Sequence, residues 1–366
     1  MKNLLGASSA YLITCLFLAS NNYLQAQNDS LPSPLTFSGY IETYFSYDFA
    51  QPADHNRQNF SYSFNRHNEV NLNLGLIKAT YQTQKVRANF ALMAGTYASA
   101  NLAAEPDVLK NIFEANVGVK LSKSKNLWLD AGIFPSHIGF ESAIGKDCWN
   151  LTRSILADNS PYFESGAKLS FTSQNEKWFI SGLLLNGWQR IQRPTGNQTP
   201  AFGHQLTYKP NAHITLNSSS FVGSDTPDST RQMRCFHNFY GQFQVHPKFA
   251  IIAGLDIGFQ QNGDGSKDYR QWYAPVFLAK YSPSDKFSIV ARVEYYKDAE
   301  GVIIATETAN GFNTYGYSVN FDYYIMSNVL WRVEARGFSS RDKIFTLDEQ
   351  PSSKNYFLTT ALSLSF

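Results

Sequence analysis

The sequence predicts an all-β fold, a transmembrane antiparallel barrel of about sixteen strands. Three observations indicate it. Segments of about ten residues alternate apolar and polar side chains at a period of two along most of the chain. Aromatic residues make up 15% of the chain, and charged residues only 16%, against roughly 25% in soluble domains. Short turns alternate with long polar loops between the segments, which is typical of the two ends of a membrane barrel.

The first 34 residues are expected to lie outside the barrel. Lys2, the apolar stretch 4–19 and a polar run closing at Ala26 form the pattern of a secretory signal peptide over residues 1–26. A short N-terminal periplasmic segment, 27–34, would follow, and residues 35–366 would form the barrel. No later segment approaches eighteen consecutive apolar residues, which excludes a helical membrane protein.

The first six predicted strands alternate clearly. In the first strand, Phe37 and Ile41 share an apolar face opposite Glu42. In the second, the apolar residues are two apart, and they share one face of the predicted strand: Val70, Leu72, Leu74 and Leu76. The predicted bounds are Leu35–Phe49, Glu69–Leu76, Val86–Gly95, Phe113–Leu121, Leu127–Phe134 and Phe163–Phe171.

The next six strands rest on less regular patterns, apart from Phe249–Gln260, where the alternation is again clear. Pro275 lies within the last of the six, and because proline cannot donate to a strand ladder it predicts a bulge or a strand end. The remaining predicted bounds are Trp178–Trp188, Phe202–Lys209, His213–Val222, Arg234–Val245 and Trp272–Tyr281.

The last four strands complete the count of about sixteen, with fourteen and eighteen as alternatives. They are Phe287–Tyr296, Tyr315–Tyr323, Val329–Phe338 and Tyr356–Phe366. The final strand has Leu362, Leu364 and Phe366 on one face, and an unpaired apolar edge would favour aggregation. We therefore expect it to pair with the first strand and with Val329–Phe338, with its apolar face towards lipid.

The connections predict short periplasmic turns and long extracellular loops. The longest loop, 135–161, resembles in position and length the third loop of general porins, which folds into the lumen and narrows it. A loop exposed at the surface is the alternative. The 135–161 loop carries both charge signs, so it could form a constriction through His137, Glu141, Lys146, Asp147, Arg153 and Asp158.

The face opposite the apolar one would line the pore, and its charges nearly balance. Rings of charge set ion preference, so this balance predicts a weakly selective pore with at most a mild cation preference. Pairing of these charges across the wall is the alternative role. The predicted pore-lining residues are Glu42, Arg87, Glu114, Lys120, Asp130, Glu164, Lys168, Asp256, Arg292, Glu294, Arg332, Glu334 and Arg336.

Nothing in the sequence predicts a catalytic site, a metal site or a cofactor, since GxSxG and HExxH motifs are absent. A net charge of +2 gives no indication of nucleic-acid binding. Two cysteines, Cys148 and Cys235, remain after removal of the signal peptide. They permit one disulfide in an oxidising compartment, and two isolated thiols are the alternative.

Three stretches resemble the β-barrel porin-2 family of outer-membrane proteins: NRHNEVNLNLGLIKATYQT from Asn65, AGIFPSHIGFESAIGKDCWNLTRSILADNSPYFESGAKLSF from Ala131, and FGHQLTYKP from Phe202. The resemblance implies a porin-like barrel in the bacterial outer membrane. The aromatic terminal residue, Phe366, also resembles the C-terminal assembly signal of such barrels.

The function expected from these features is a water-filled channel for passive diffusion of small hydrophilic solutes. An adhesin or docking protein is the alternative, and a barrel hydrolase is a third. Expected partners are outer-membrane lipid, the barrel assembly machinery, the solutes themselves and further copies of the chain.

Overall fold

The computed structural model describes residues 33–347 and 349–366, so the predicted signal peptide and most of segment 27–34 lie outside the described residues. The alternating segments form one closed antiparallel barrel of sixteen strands, which confirms the predicted fold class. Its strands are β1 Leu35–Asp48, β2 Val70–Gln82, β3 Val86–Ala94, β4 Ile112–Lys120, β5 Asn126–Pro135, β6 Phe163–Thr172, β7 Trp178–Leu185, β8 Ala201–Asn211, β9 Ile214–Gly223, β10 Arg234–His246, β11 Phe249–Gln261, β12 Tyr269–Ser284, β13 Phe287–Asp298, β14 Phe312–Met326, β15 Val329–Ser340 and β18 Lys354–Ser365.

Over the part of the chain that the structure describes, the connections between the barrel strands contain a small hairpin, two short helices and three 3-10 turns. A two-stranded hairpin, β16 Phe345–Leu347 with β17 Gln350–Ser352, lies between β15 and β18 and was not predicted. Helices α1 Thr96–Asn101 and α2 Ile155–Asp158 are short, and 3-10 turns occupy Asp107–Asn111, Gly145–Asp147 and Asp228–Thr230. Among the described residues, every helix is too short and too polar to span a bilayer.

The barrel closes through β18, which pairs with β1 on one side and β15 on the other, as expected. Phe366 extends the β1 pairing, because its backbone amide and carbonyl exchange hydrogen bonds of 3.0 and 2.8 Å with Gly39. A side chain at Gly39 would collide with the ring of Phe366, so the ring lies directly over the glycine. The closing contact therefore includes both backbone pairing and aromatic cover.

The exterior of the barrel is apolar and the interior is not. On β18, Leu358 and Leu362 are 44% and 46% exposed, whereas Thr359 between them is fully buried. An apolar exterior of this kind suits a bilayer, because unsatisfied polar groups are costly there and apolar side chains are not.

One facing prediction is wrong, on β2. Val70 is 79% exposed, but Leu74 is fully buried and faces the lumen instead of sharing the face of Val70. The cause is a β-bulge: the β1 register changes from Glu42 opposite Leu74 to Thr43 opposite Leu72. One extra residue in a strand moves every later side chain to the other face, so Leu76 also points inward.

Pro275 causes neither a bulge nor a strand end. It lies inside β12, pairs with Leu255 of β11 and keeps the flanking register. The β12–β13 ladder instead lacks pairs between Tyr273 and Val276, because proline has no amide hydrogen to donate.

Near the end with the long loops, the interior is a packed apolar cluster. Phe60 of the β1–β2 loop packs edge-on against Phe312 at 4.8 Å between ring centroids, and Phe338 stacks on Phe345 at 6.0 Å. Trp272 of β12 belongs to the same cluster and is 1% exposed. Loops and inward-facing strand residues therefore share one core inside the barrel at this end.

A charged segment across the lumen

The segment between β5 and β6, residues 136–162, crosses the lumen, and we call it the crossing segment. It leaves β5 and returns to β6, yet its hydrogen bonds reach β13, β14 and β15. In the ring of sixteen strands, β13 and β14 lie eight strands from β5 and β6 respectively, which is the opposite side. A segment that joins opposite walls must pass through the interior.

Three buried arginines of β13 and β15 hold the crossing segment by its carbonyl oxygens. Arg292 donates to the carbonyl of Thr152 at 2.7 Å, and Arg336 donates to the carbonyl of Arg153 at 2.7 Å. Arg332 donates to three carbonyls earlier in the segment, those of Gly145, Cys148 and Trp149, at 2.7 to 3.0 Å. Five backbone acceptors of the crossing segment are satisfied in this way by side chains of the wall.

The neighbouring acids bind the amides of the same segment. Glu334 accepts from the amide of Thr152 at 2.6 Å, and Glu294 accepts from the amide of Ile155 at 2.6 Å. The arginines neutralise these acids: Arg292 lies 3.0 Å from Glu334, and Arg336 lies 2.6 Å from Glu294. Buried charges that are both paired and hydrogen-bonded tolerate removal from water.

The first part of the crossing segment contacts a different wall. His137 is hydrogen-bonded through Nε2 to the carbonyl of Ser220 on β9 at 2.8 Å, and the Gly139 amide donates to Asn238 of β10 at 3.2 Å. At the far tip, the Lys146 amide donates to the Tyr40 hydroxyl of β1 at 3.2 Å. The segment thus touches the wall at several separated strands.

Burial shifts the proton affinity of groups on the crossing segment. It lowers the pKa of His137 to about 4 and raises the pKa of Asp158 to about 6, because each charged form is desolvated. Arg336 and Arg153 partly offset the shift at Asp158. Burial also raises the pKa of the Cys148 thiol to about 11, which leaves it a poor nucleophile.

All thirteen residues predicted to line the pore face the lumen side of their strands, but they differ in exposure. Arg87, Lys120 and Lys168 are partly exposed. The other ten are at most 5% exposed: Glu42, Glu114, Asp130, Glu164, Asp256, Arg292, Glu294, Arg332, Glu334 and Arg336. Several of these ten hold the crossing segment and have little contact with solvent.

The six charged residues predicted for the loop do not form a single group. Lys146 and Asp147 are exposed at its tip. His137, Arg153 and Asp158 are buried, as is the side chain of Glu141, which bonds Ser154 and lies 3.8 Å from Arg292.

Cys148 and Cys235 are both free thiols, so the disulfide that the sequence permits is not formed. Cys148 is buried in the crossing segment, where its sulfur accepts from the Ser142 amide at 3.1 Å and donates to the Ser142 carbonyl at 3.3 Å. Cys235 lies on β10.

Several residues that hold the crossing segment escaped sequence analysis. Asn320 accepts from the Leu151 amide at 3.1 Å, and Asn150 donates to Ser318 and Glu334 at 3.1 and 3.3 Å. Uncharged polar residues on an inward face are too common in barrels to stand out. Asn320 carried a weak signal, because it alternates with Ser318 and Asp322 on one face of β14.

Cavities lie at both ends of the barrel. At the loop end, a cavity of about 890 Å³ is lined by Asp48, Arg57, Phe312, Phe345 and Asn355, among others. At the turn end, a cavity of about 520 Å³ is lined by residues of β6 to β10 and their turns, including Lys177, Thr207, Lys209 and Gln242.

A closed barrel of sixteen strands with an apolar exterior, short turns and long loops has the architecture of an outer-membrane porin. The sequence agrees: residues 34–366 match the model of the family described as Putative beta-barrel porin-2, OmpL-like. The chain belongs to this family, and it is an outer-membrane porin of the bacterial outer membrane. No curated protein matches the chain in sequence.

Solved structures share the fold at very low identity. The anion-selective porin from Comamonas acidovorans is 8% identical, with a TM-score of 0.58 over 91% of this chain and 99% of that one. The outer-membrane protein OmpT of Vibrio cholerae is 8% identical, with a TM-score of 0.58 over 91% and 97%. The outer-membrane channel DcaP of Acinetobacter baumannii is 10% identical, with a TM-score of 0.55 over 91% and 97%. These similarities concern the fold alone.

Proposed function

We propose that the chain forms a water-filled channel for passive diffusion of small hydrophilic solutes, and that the crossing segment narrows it. The main support is that buried charges attach this segment to β13 and β15. Charged side chains on β3, β4 and β6 stay partly exposed in the lumen. Solutes would pass between the segment and the β2–β6 wall. The family favours a channel over an enzyme.

Liposome swelling tests the channel itself. Vesicles containing the purified barrel should swell in small sugars and amino acids, with a rate that falls as solute size rises. A folded barrel that gives no swelling with any solute would contradict the proposal and favour the adhesin or docking alternative.

A deletion tests the narrowing. Removal of residues 142–151 takes out the tip of the crossing segment, so single-channel conductance in planar bilayers should rise. The matched control removes residues 263–266 from the exposed β11–β12 loop, where conductance should not change. Equal conductance in the wild type and the 142–151 deletion would show that the crossing segment does not form the narrowest part of the channel.

The surface of the barrel indicates its partners. The apolar exterior would contact lipid, and Phe366 would contact the barrel assembly machinery.

A polar cluster interrupts the exterior of β8 to β10: His204 contacts Ser220 at 2.5 Å, and His237 contacts Ser218 at 2.9 Å. Polar side chains on a lipid-facing wall are unusual, so a second copy of the chain would cover this cluster best. Replacing both histidines by leucine should then reduce cross-linked oligomers, and unchanged cross-linking would contradict this interface.

A further inference from the structure

Acids and bases on the barrel wall differ sharply in their access to solvent. All ten carboxylates on the described strands are at most 5% exposed: Glu42, Asp48, Glu114, Asp130, Glu164, Asp256, Glu294, Asp298, Asp322 and Glu334. Four cations that face the lumen on β2, β3, β4 and β6 are partly exposed, and we call them the cationic strip: Lys78, Arg87, Lys120 and Lys168.

Where the strip contains ion pairs, the cation is the member that meets water. The side chain of Arg87 is 29% exposed, while the side chain of its partner Asp130, 2.5 Å away, is 6% exposed. The side chain of Lys78 is 27% exposed, and that of its partner Glu114, at 2.6 Å, is 7% exposed. A solute in the lumen therefore meets ammonium and guanidinium groups before any carboxylate.

Aromatic rings support two of these cations without cancelling their charge. The guanidinium of Arg87 lies 4.4 Å from the ring centroid of Trp128, and the ammonium of Lys168 lies 4.6 Å from that of Phe134. Cation–π contacts hold a cation in position and leave its net charge unchanged.

The strip keeps a positive balance when every acid on strands β2 to β6 is counted as ionised. Four cations stand against Glu114, Asp130 and Glu164, which gives +4 − 3 = +1. Within residues 33–347 and 349–366, Lys120 and Lys168 form no salt bridge. The crossing segment covers the opposite wall. There the acids and arginines form ion pairs with one another and hydrogen bonds with the backbone of the segment.

We propose that the cationic strip is the wall that permeating solutes touch, and that it gives the channel a preference for small anions, such as chloride, phosphate and short carboxylates. This inference rests on the proposed channel function. It differs from the weak selectivity expected from counting charges, because that count weights buried carboxylates and exposed cations equally. Arg87 and the lysines supply donors that suit carboxylate and phosphate oxygens.

Reversal potentials across planar bilayers under a KCl gradient test the preference. One to two net charges about 8 Å from a permeating ion should favour chloride over potassium by roughly two- to five-fold at 0.1 M salt. The ratio should fall towards one at 1 M, where the screening length drops from about 10 to about 3 Å.

Variants connect the preference to the strip. The double variant Lys120→Gln and Lys168→Gln changes the balance on β2 to β6 from +1 to −1, so the chloride preference should be lost and the permeability ratio should reach one or slightly favour potassium. Lys286→Gln is the matched control, because Lys286 is exposed in the β12–β13 turn away from the strip, and it should keep the wild-type ratio. Heat-modifiable migration on gels confirms that each variant is folded.

The outcomes separate the two proposals. Absence of any conductance from folded protein would contradict the channel function. A conducting wild type that is unselective or prefers potassium would overturn the anion preference alone. An anion preference that the double variant leaves intact would equally overturn the assignment to these residues.

Discussion

Glu334 is the residue whose loss should release the crossing segment most directly. It is fully buried on β15. One carboxylate oxygen accepts from the Thr152 amide at 2.6 Å, and the other lies 3.0 Å from Arg292 and 3.3 Å from the Asn150 amide nitrogen. Its replacement by alanine leaves the β15 backbone ladder unchanged and removes all three contacts.

The magnitude follows from the partners left behind. Breaking a buried ion pair by removing one member costs roughly 3 to 5 kcal/mol, because the other charge remains buried. Arg292 retains Glu294 at 3.4 Å and the Thr152 carbonyl, which places Glu334→Ala at the lower end of this range. Each 1.4 kcal/mol is a factor of ten, so about 3 kcal/mol raises local opening of the segment by about a hundred-fold.

Cys148 provides the assay. It lies within the crossing segment, is 5% exposed, and its thiol pKa is raised to about 11 by burial. In a Cys235→Ser background, a water-soluble maleimide should label the parent slowly and the Glu334→Ala variant much faster. Glu334→Gln keeps one acceptor for the Thr152 amide, so its rate should be intermediate. Asp285→Ala, in the exposed β12–β13 turn, is the control and should label as the parent does.

Two results would refute this reasoning. One is a folded Glu334→Ala variant whose Cys148 is labelled no faster than in the parent. The other is equal acceleration by the Asp285→Ala control, which would indicate a general loosening of the barrel.

Three further changes test separate parts of the structure. Deletion of Phe366 should lower the amount of heat-modifiable barrel in the membrane and leave the conductance of assembled channels unchanged, because the ring covers Gly39 at the closing strand pair; normal levels with altered conductance would contradict this. Burial lowers the pKa of His137, so protonation of this side chain destabilises the folded state. The free energy of unfolding should therefore fall by about 3 kcal/mol as the pH drops from about 6.5 to 4. In urea titrations, His137→Gln should flatten this pH dependence. Trp272→Ala should cost roughly 3 to 5 kcal/mol, since this ring is 1% exposed, whereas Trp178→Ala on the lipid face, at 40% exposed, should cost much less in vesicles.

The strand pattern was readable because a barrel wall imposes the same rule on every strand. One face of β1 points outward from the barrel and the other points into the lumen, so Phe37 and Glu42 alternate with their neighbours. The rule fails where the backbone departs from regular pairing. At the β2 bulge, Leu72 and Leu74 are both leucines two residues apart, so no change of residue type marks the reversal of faces.

The site was predicted only in part, for a similar reason. Alternation places Glu334, Lys120 and Asp130 on the lumen side, but it cannot rank their exposure. Exposure depends on what fills the lumen in front of each residue, and that is decided by contacts between positions far apart, such as Thr152 with Glu334.

The sequence by itself determined the closed barrel, its count of about sixteen strands and the inner or outer side of most residues, because these follow from local periodicity and the requirement that every backbone group in a membrane be paired. The tertiary structure alone decided that residues 136–162 cross to β13 and β15, that the wall acids are buried there or in ion pairs, and that lysine and arginine of the cationic strip remain accessible. These features arise from packing between distant segments, which periodicity does not encode.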